Sequence, residues 1–271
     1  MGAPEARKPA PRPPSISRAV AGAFRDATER HLFERVKESP LPRHVAIIMD
    51  GNRRFAAGHG LLVADGHRKG KDTLEELLDW CLEIGIRVLT VYALSTENFS
   101  RPREELDALM ALFAESFRQV ATDERVHRHR IHVRAIGNLA ALPSEVRNAI
   151  AEAEAATRDY SDYYYNVAIA YGGREEIVEA IRQIAEDVRT GKIRPDQIDS
   201  KMVSDHLYTA DIPDPDLVFR TSGEERISNF LLWQAAYAEL YFADVMWPGL
   251  TRLDFLQAIR AYQNRHRRFG E

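Results

Sequence analysis

What most constrains this chain is an alternation: short apolar runs of strand length, each closed by a polar cluster, with stretches of helical spacing between them. Val45 to Met49 is a compact run rich in β-branched residues, stopped by Asp50, Gly51, Asn52, Arg53 and Arg54. Ile86 to Leu94 ends in Ser95-Thr96-Glu97-Asn98, Tyr163 to Tyr171 in Gly172-Gly173-Arg174, and Asp216 to Phe219 in Arg220-Thr221-Ser222-Gly223. Ile131 to Ile136 and Leu240 to Phe242 read as two more strands. Runs that are apolar throughout belong to strands covered on both faces, as in parallel sheets.

Between them, Leu74, Leu77, Leu78 and Cys81 fall at helical spacing in His67 to Leu82, which Gly85 closes. Pro102 opens a helix carrying Leu106, Leu109, Leu112, Phe113 and Phe117, and Pro143 opens another to about Thr157. Further helices follow Gly173, lie near Ser200 to Leu207, and close the chain at Leu253 to Arg265, while Gly58 to Gly66 reads as a loop. The expected fold is a single α/β domain, a mainly parallel central sheet of about six strands flanked by helices. Polar clusters at the C-terminal ends of parallel strands converge in one crevice, where such sheets bind ligands.

Residues 1–14 are rich in Pro, Ala and Arg and are expected to be disordered; Ser15 to Glu38 reads as one helix, packed on the domain or touching a membrane surface. Residues 39–271 form the main domain. With 37 basic and 41 acidic residues and net charge −4, no basic field points to nucleic acid. The single cysteine, Cys81, excludes an internal disulfide or a cysteine zinc site. No apolar run has spanning length and no apolar signal core opens the chain, so a cytoplasmic protein is expected.

The clusters are rich in arginine: Arg53, Arg54, Arg101, Arg174, Arg220 and Arg226, with Ser222 and Ser228 nearby. Forked guanidinium groups in that number suit two diphosphates better than a small neutral ligand. Asp50 is a candidate Mg²⁺ ligand, because that ion is held by one or two carboxylates plus substrate phosphates. There is no phosphate-binding P-loop motif, no GxSxG elbow and no HExxH helix. Asp211, Asp214 and Asp216 are interrupted by prolines, so they read as a turn leading into a strand rather than a metal cluster.

The runs HVAIIMDGNRRFA, GHRKG, YALSTENFSRP, NVAIAYGGR, DLVFRTSGEERISNFLLWQAAYAELYF and RHRRFG, in that order, resemble the cis-prenyltransferases, the undecaprenyl diphosphate synthase family, from about Pro42 to Gly270. The resemblance implies condensation of isopentenyl diphosphate onto an allylic diphosphate, with Mg²⁺, by a normally dimeric enzyme. It implies that Asp50 acts with Mg²⁺ on the allylic leaving group and that Glu239 is a second acid linked to the metal. Asn98 and Arg101 are implied as catalytic. Gly51, Asn52, Arg53, Arg54, Phe55, His67, Ser95, Thr96, Glu97 and Phe99 are implied around the substrates, Arg220, Arg226 and Ser228 at the isopentenyl diphosphate. Arg268 and Gly270 match a tail that reaches a partner subunit's site.

A growing product needs an apolar sleeve, for which Leu94, Leu106, Leu109, Met110, Phe113 and Phe117 are candidates, each also plausible as plain core. The sequence departs from the family at Val63, where many members carry a basic residue, at Phe55 and Phe99 (often Trp), at Glu225 (often His) and at Ser222 (often Gly). The expected product is a polyprenyl diphosphate, precursor of a glycosyl carrier lipid, made from a C15 or C20 primer. The alternatives are a short-chain cis-prenyl diphosphate synthase and a non-catalytic partner subunit of the same fold. A homodimer and a peripheral membrane contact for product release are expected.

Overall fold

The computed structural model describes residues 16–266; the expected tail over 1–14 and the positions Arg268 and Gly270 lie outside the described residues. In chain order the elements are α1 Ile16–Lys37, β1 His44–Ile48, α2 Asn52–Gly58, α3 Val63–Ile84, β2 Val88–Ser95, α4 Arg103–Val120, α5 Glu124–Arg128 and β3 Ile131–Ile136. They continue with α6 Ser144–Thr157, β4 Tyr163–Tyr171, α7 Gly173–Arg189, α8 Ser200–Asp205, β5 Leu217–Arg220, β6 Glu239–Phe242 and α9 Arg252–His266.

The strands form one six-stranded sheet in the order β3-β4-β2-β1-β5-β6, and every pairing is parallel. From β1 the chain runs out through β2 to β3, returns to place β4, then crosses to the other side of β1 for β5 and β6. The strand order therefore reverses between β1 and β5, and the crevice of such a sheet opens at that point.

Side chains alternate across the sheet. Val45, Ile47, Val91, Val167 and Phe219 face a large core under α3, α4, α6 and α9. Ala46, Ile48, Tyr92, Ala168 and Val218 face a smaller one closed by Phe230 and Leu231. Both faces are covered, which is why the strands read as unbroken apolar runs. Leu32, Phe33 and Val36 of α1 join the larger core, and Gln263 of α9 donates to the Val36 carbonyl at 2.8 Å. This end of α1 packs on the domain.

The expected loop over Gly58 to Gly66 is shorter than expected: residues 59–62 connect α2, which ends at Gly58, to α3, which begins at Val63. A helix of seven residues is too short to show periodicity, and Gly51-Asn52 reads locally as a turn. The small α5 was likewise not anticipated. The Asp211 to Asp216 segment does lead into a strand, where Asp216 accepts from the Arg43 and His44 amides at 2.7 and 3.0 Å.

Candidate active site

At the end of β1, the Asp50 backbone is clamped from β5. The Thr221 hydroxyl donates to the Asp50 carbonyl at 2.7 Å and accepts from its amide at 3.0 Å. The Trp247 amide reaches the same carbonyl at 3.0 Å. Gly51 then turns the chain with φ +110, and a Cβ there would stand 2.8 Å from the Met246 sulfur, so both conformation and space demand glycine.

The Asp50 carboxylate meets two guanidinium groups on one oxygen. Arg220 donates to Oδ2 at 2.7 Å, and Arg54 lies 3.4 Å from the same atom. Partial burial works to raise the Asp50 pKa, but hydrogen bonds from Arg220 and Ser222 and the charges of Arg220 and Arg54 outweigh it, leaving the pKa below the ordinary carboxylate value. Arg220 is buried and also donates to Ser228 Oγ at 2.7 Å and to the Arg226 carbonyl, while its Nε is buried without a partner. A buried guanidinium with one N–H left over, paired with an ionised acid at a crevice, is an arrangement suited to receiving a charged ligand.

The loop after β5 holds this arrangement in unusual backbone geometry. Ser222, Ser228, Asn229 and Leu231 all have positive φ, at 83, 46, 62 and 45 degrees. Such conformations cost non-glycine residues roughly 1–3 kcal/mol each and cluster where function over-determines the backbone. Ser222, standing where many family members have glycine, uses its hydroxyl to accept from Arg54 at 2.6 Å.

A second cluster forms on the helices beside the crevice. Glu105 of α4 accepts from Arg101 at 3.0 Å, from His67 at 3.3 Å, and pairs with Arg53 at 3.7 Å. Burial lowers the His67 pKa, against the pull of Glu105 and with help from Arg101 and Arg53, so the imidazole is neutral near pH 7. His67 is placed here by Gly66 and Gly70: a Cβ at either would run into Asn52, at 2.6 and 2.2 Å. The GHRKG run thus lets α3 press against α2.

The other expected site residues divide. Asn98 sits in the 3-10 turn Thr96–Ser100, with its Oδ1 accepting from the Ser95 amide at 3.3 Å, a capping role. Glu97 accepts from Asn229 at 3.2 Å, Thr96 touches Glu97, and Phe99 packs on the larger core. Phe55 stacks on His59 at 4.1 Å. Arg226 is exposed and pairs with Glu224. Arg174 lines a groove with Asn138, Glu179 and Tyr208.

Glu239 is not brought to Asp50 within the chain. It pairs in register with Leu217, at the opposite end of β5 from Arg220, about 10 Å down the strand. There it binds Arg265 at 3.2 Å. The expectation of Asp50 and Glu239 as joint ligands fails in one chain, because strand alternation and register were invisible in the AYAELYF run. Among the described residues no three His, Cys, Asp or Glu side chains gather. The donor set that remains, one ionised carboxylate beside guanidinium groups for phosphate oxygens, suits Mg²⁺ held chiefly by substrate phosphates.

Glu105 and Asn229 were missed. The Arg101 to Glu105 spacing of four on a helix could have pointed to the first. The second carries a less direct signal, an Asn in a turn: Asn229 joins Glu97, Glu175 and the Arg174 amide.

Between α3, α4 and the sheet lies an apolar cavity, lined at the end nearest Asp50 by Met49, Asn52 and His67. Leu109, Phe113 and Phe117 line it as expected, whereas Leu94 and Met110 are buried core.

The family model for undecaprenyl diphosphate synthases matches residues 48–270. The chain is 56% identical over 242 residues to a tritrans,polycis-undecaprenyl-diphosphate synthase (geranylgeranyl-diphosphate specific) from Methanopyrus kandleri, covering 89% of each chain. It is 51% identical to the enzyme of the same name from Thermoplasma acidophilum, over 94% of this chain and 99% of that one. The crystal structure of lavandulyl diphosphate synthase from Lavandula x intermedia in complex with dimethylallyl diphosphate superposes with TM-score 0.81 at 40% identity, covering 85% of this chain and 99% of that chain. A parallel sheet whose switch point carries the Asp50–Arg220 pair, above an apolar cavity, and a family match over most of the chain lead to one assignment: the chain belongs to the undecaprenyl diphosphate synthase family of cis-prenyltransferases.

Proposed function

We propose that the chain elongates geranylgeranyl diphosphate with successive isopentenyl diphosphate units to a polyprenyl diphosphate, the precursor of a glycosyl carrier lipid. The observation that carries this reading is the Asp50–Arg220–Arg54 cluster on the β1 end whose neighbouring residues Met49 and Asn52 line an apolar cavity. The primer is taken from the named specificity of the relatives in Methanopyrus and Thermoplasma.

In the reaction the allylic C–O bond breaks, the allylic carbon bonds to the terminal alkene carbon of isopentenyl diphosphate, and a proton leaves to set the new double bond. Negative charge grows on the departing diphosphate, so donors aimed at it lower the barrier more than they tighten ground-state binding. Arg54, and Arg53 once it exchanges Glu105 for phosphate, stand beside Asp50 for that task. Arg220, Arg226 and Ser228 form the neighbouring subsite for isopentenyl diphosphate, and the buried Arg220 ties the two subsites through Asp50. Asp50 would hold Mg²⁺ against the leaving diphosphate, where the ion supplies Lewis-acid neutralisation of its charge. The cavity takes the hydrocarbon and keeps water from it.

A homodimer is part of this reading, supported by the edge strand β6 and the fully exposed Tyr237 beside it. Among the described residues no helix is long and apolar enough to cross a membrane; a cytoplasmic enzyme with peripheral contact for product release is consistent with that. The test is incubation with Mg²⁺, labelled isopentenyl diphosphate and, separately, geranyl, farnesyl and geranylgeranyl diphosphates. Long products favouring the last primer support the proposal; no product with any primer overturns it.

A further inference from the structure

The apolar cavity runs the height of the sheet. Its upper end is at Met49 and His67, its lower end at Val126, Ile131 and Tyr165. Along α3, from His67 to Leu82, that is about 22 Å. Yet the void itself is only about 160 Å³, the size that accommodates roughly one benzene in an engineered core. A growing polyprenyl chain fits only when a wall parts. The sheet is fixed by its ladder of hydrogen bonds, so the yielding wall is α3 against α4 and α5.

Two latches hold that wall. At the upper end Glu105 ties α4 to His67 of α3. At the lower end Arg125 of α5 crosses to α3: its guanidinium lies 2.7 Å from Asp123, 3.4 Å from both oxygens of Asp79, and 3.8 Å from Glu75. Glu75 in turn holds Lys71 at 2.7 Å. Between the latches Ser116 and Gln119, which line the cavity from α4, hydrogen-bond within their own helix, to Leu112 and Glu115. Glu75, Asp79, Asp123 and Arg125 all line the cavity as well; each pair is partly exposed and weak alone, but an advancing hydrocarbon end meets the whole cluster and would strip it of water that it cannot replace.

We propose that the Arg125 cluster is a product-length clasp: it holds the foot of α3 to α5 and limits how far the growing chain can part the wall. The inference rests on the chain-elongation reading and adds to it the residues that end elongation. The chemistry recognised is negative, a hydrocarbon stopped by an ion cluster it cannot solvate.

Product lengths from wild type, Arg125→Ala, Arg125→Lys, Asp79→Asn and Arg118→Ala, made with geranylgeranyl diphosphate and labelled isopentenyl diphosphate, test it. Arg125→Ala shifts the longest products upward by one or more five-carbon units while the first condensation keeps its rate. Arg125→Lys retains a cation and the wild-type length. Asp79→Asn, the milder change should Arg125→Ala not fold, gives a smaller shift in the same direction. Arg118→Ala removes only the exposed pair with Glu145 and leaves length alone. A merely structural role would lower the melting temperature without moving product length. Unchanged or shorter products from Arg125→Ala and Asp79→Asn, with wild type elongating, overturn the clasp alone; a wild type that makes no product overturns the elongation reading, and the clasp falls with it.

Discussion

The end of the sheet at β1 and β5 and the helical wall beside it are both held by arginine–carboxylate pairs, but the pairs sit on different foundations. Asp50 and Arg220 stand on strand ends whose backbones are locked to each other through Thr221 and Trp247. His67, Glu105 and Arg125 stand on helices tied to one another through side-chain groups, with no backbone ladder between α3 and α4 or α5. The first foundation cannot shift without breaking a parallel ladder; the second can, at the cost of a few partly exposed ion pairs worth about 1 kcal/mol or less each. On the proposed function, the chemistry is placed where geometry must be fixed, and room for the product where it can change.

The sharpest way to break this comparison is at the rigid end. Asp50→Asn removes the negative charge while keeping shape, and the expected loss in kcat/KM is about 10³-fold, the scale found when one aimed electrostatic group is deleted. Arg220 then keeps its bonds to Ser228 and the Arg226 carbonyl, so the melting temperature should move little. Steady-state kinetics and thermal melting on the same preparation check both. Unchanged turnover would remove Asp50 from the chemistry.

On the helical wall, Glu105→Gln leaves His67, Arg53 and Arg101 around a neutral amide. Arg53 and Arg101 then repel across the top of α4, and activity falls by about 10- to 100-fold, mostly through KM for the allylic substrate. If kcat falls and KM does not, Glu105 acts on the reacting centre itself rather than by positioning the arginines.

The two regions also differed in what the sequence disclosed. The strand ends were legible because each sits at the close of an apolar run, and local pattern is enough to find such ends: Asp50 follows β1 and Arg220 closes β5. The contacts that tie Glu105 and Arg125 to α3 were not, since those partners lie 38 and 46 positions away, at His67 and Asp79. Pairing at that distance depends on which helix lies against which. Glu239 shows the opposite failure, a residue placed by its motif and then separated from Asp50 by register. The fold class and sheet were legible for the same reason as the strand ends. The short α2 and α5 were not, because one or two turns carry no periodicity.

Toward the N-terminal ends of the strands, the sheet holds a buried polar chain that sharpens the contrast between rigid sheet and yielding wall. His44 donates from Nδ1 to the Pro213 carbonyl at 2.6 Å, and its Nε2 accepts from Thr90, which accepts in turn from Asn166. Burial lowers the His44 pKa from 6.5 to about 4, against the pull of the Pro213 carbonyl and Asp216. The folded value is below the unfolded one, so the folded protein resists a proton that the unfolded chain accepts. Above about pH 6.5 the group contributes no pH dependence; as pH falls from there to about 4, stability drops by about 3 kcal/mol. Burial raises the pKa of Glu176, against hydrogen bonds from Tyr171 and Gln234, which adds stability as pH falls through its folded value. The measurement is therefore the difference between wild type and His44→Asn in urea unfolding from pH 7 to 4. A gap that does not change with pH would show that His44 takes up a proton as readily in the folded state as in the unfolded chain.

The smallest expected effect lies at Ser222, where the rigid end contains its own strain. The φ of +83 costs a serine roughly 1–2 kcal/mol, which glycine would not pay. Its hydroxyl accepts from the Arg54 guanidinium at 2.6 Å, a charge-assisted bond that offsets about as much, less for an arginine half open to solvent. Glycine also loses more backbone entropy on folding, by about 0.5–1 kcal/mol. Ser222→Gly should therefore change stability by less than about 1 kcal/mol. Arg54 keeps the Ser222 carbonyl, Glu224 and Asp50 as partners, so its aim loosens without being lost, and KM for the allylic diphosphate rises by about threefold. A larger fall in stability would mean that the serine holds the loop as well as Arg54; an unchanged KM would mean that Asp50 and Glu224 alone aim the guanidinium, and that the strained serine serves the fold instead of the substrate.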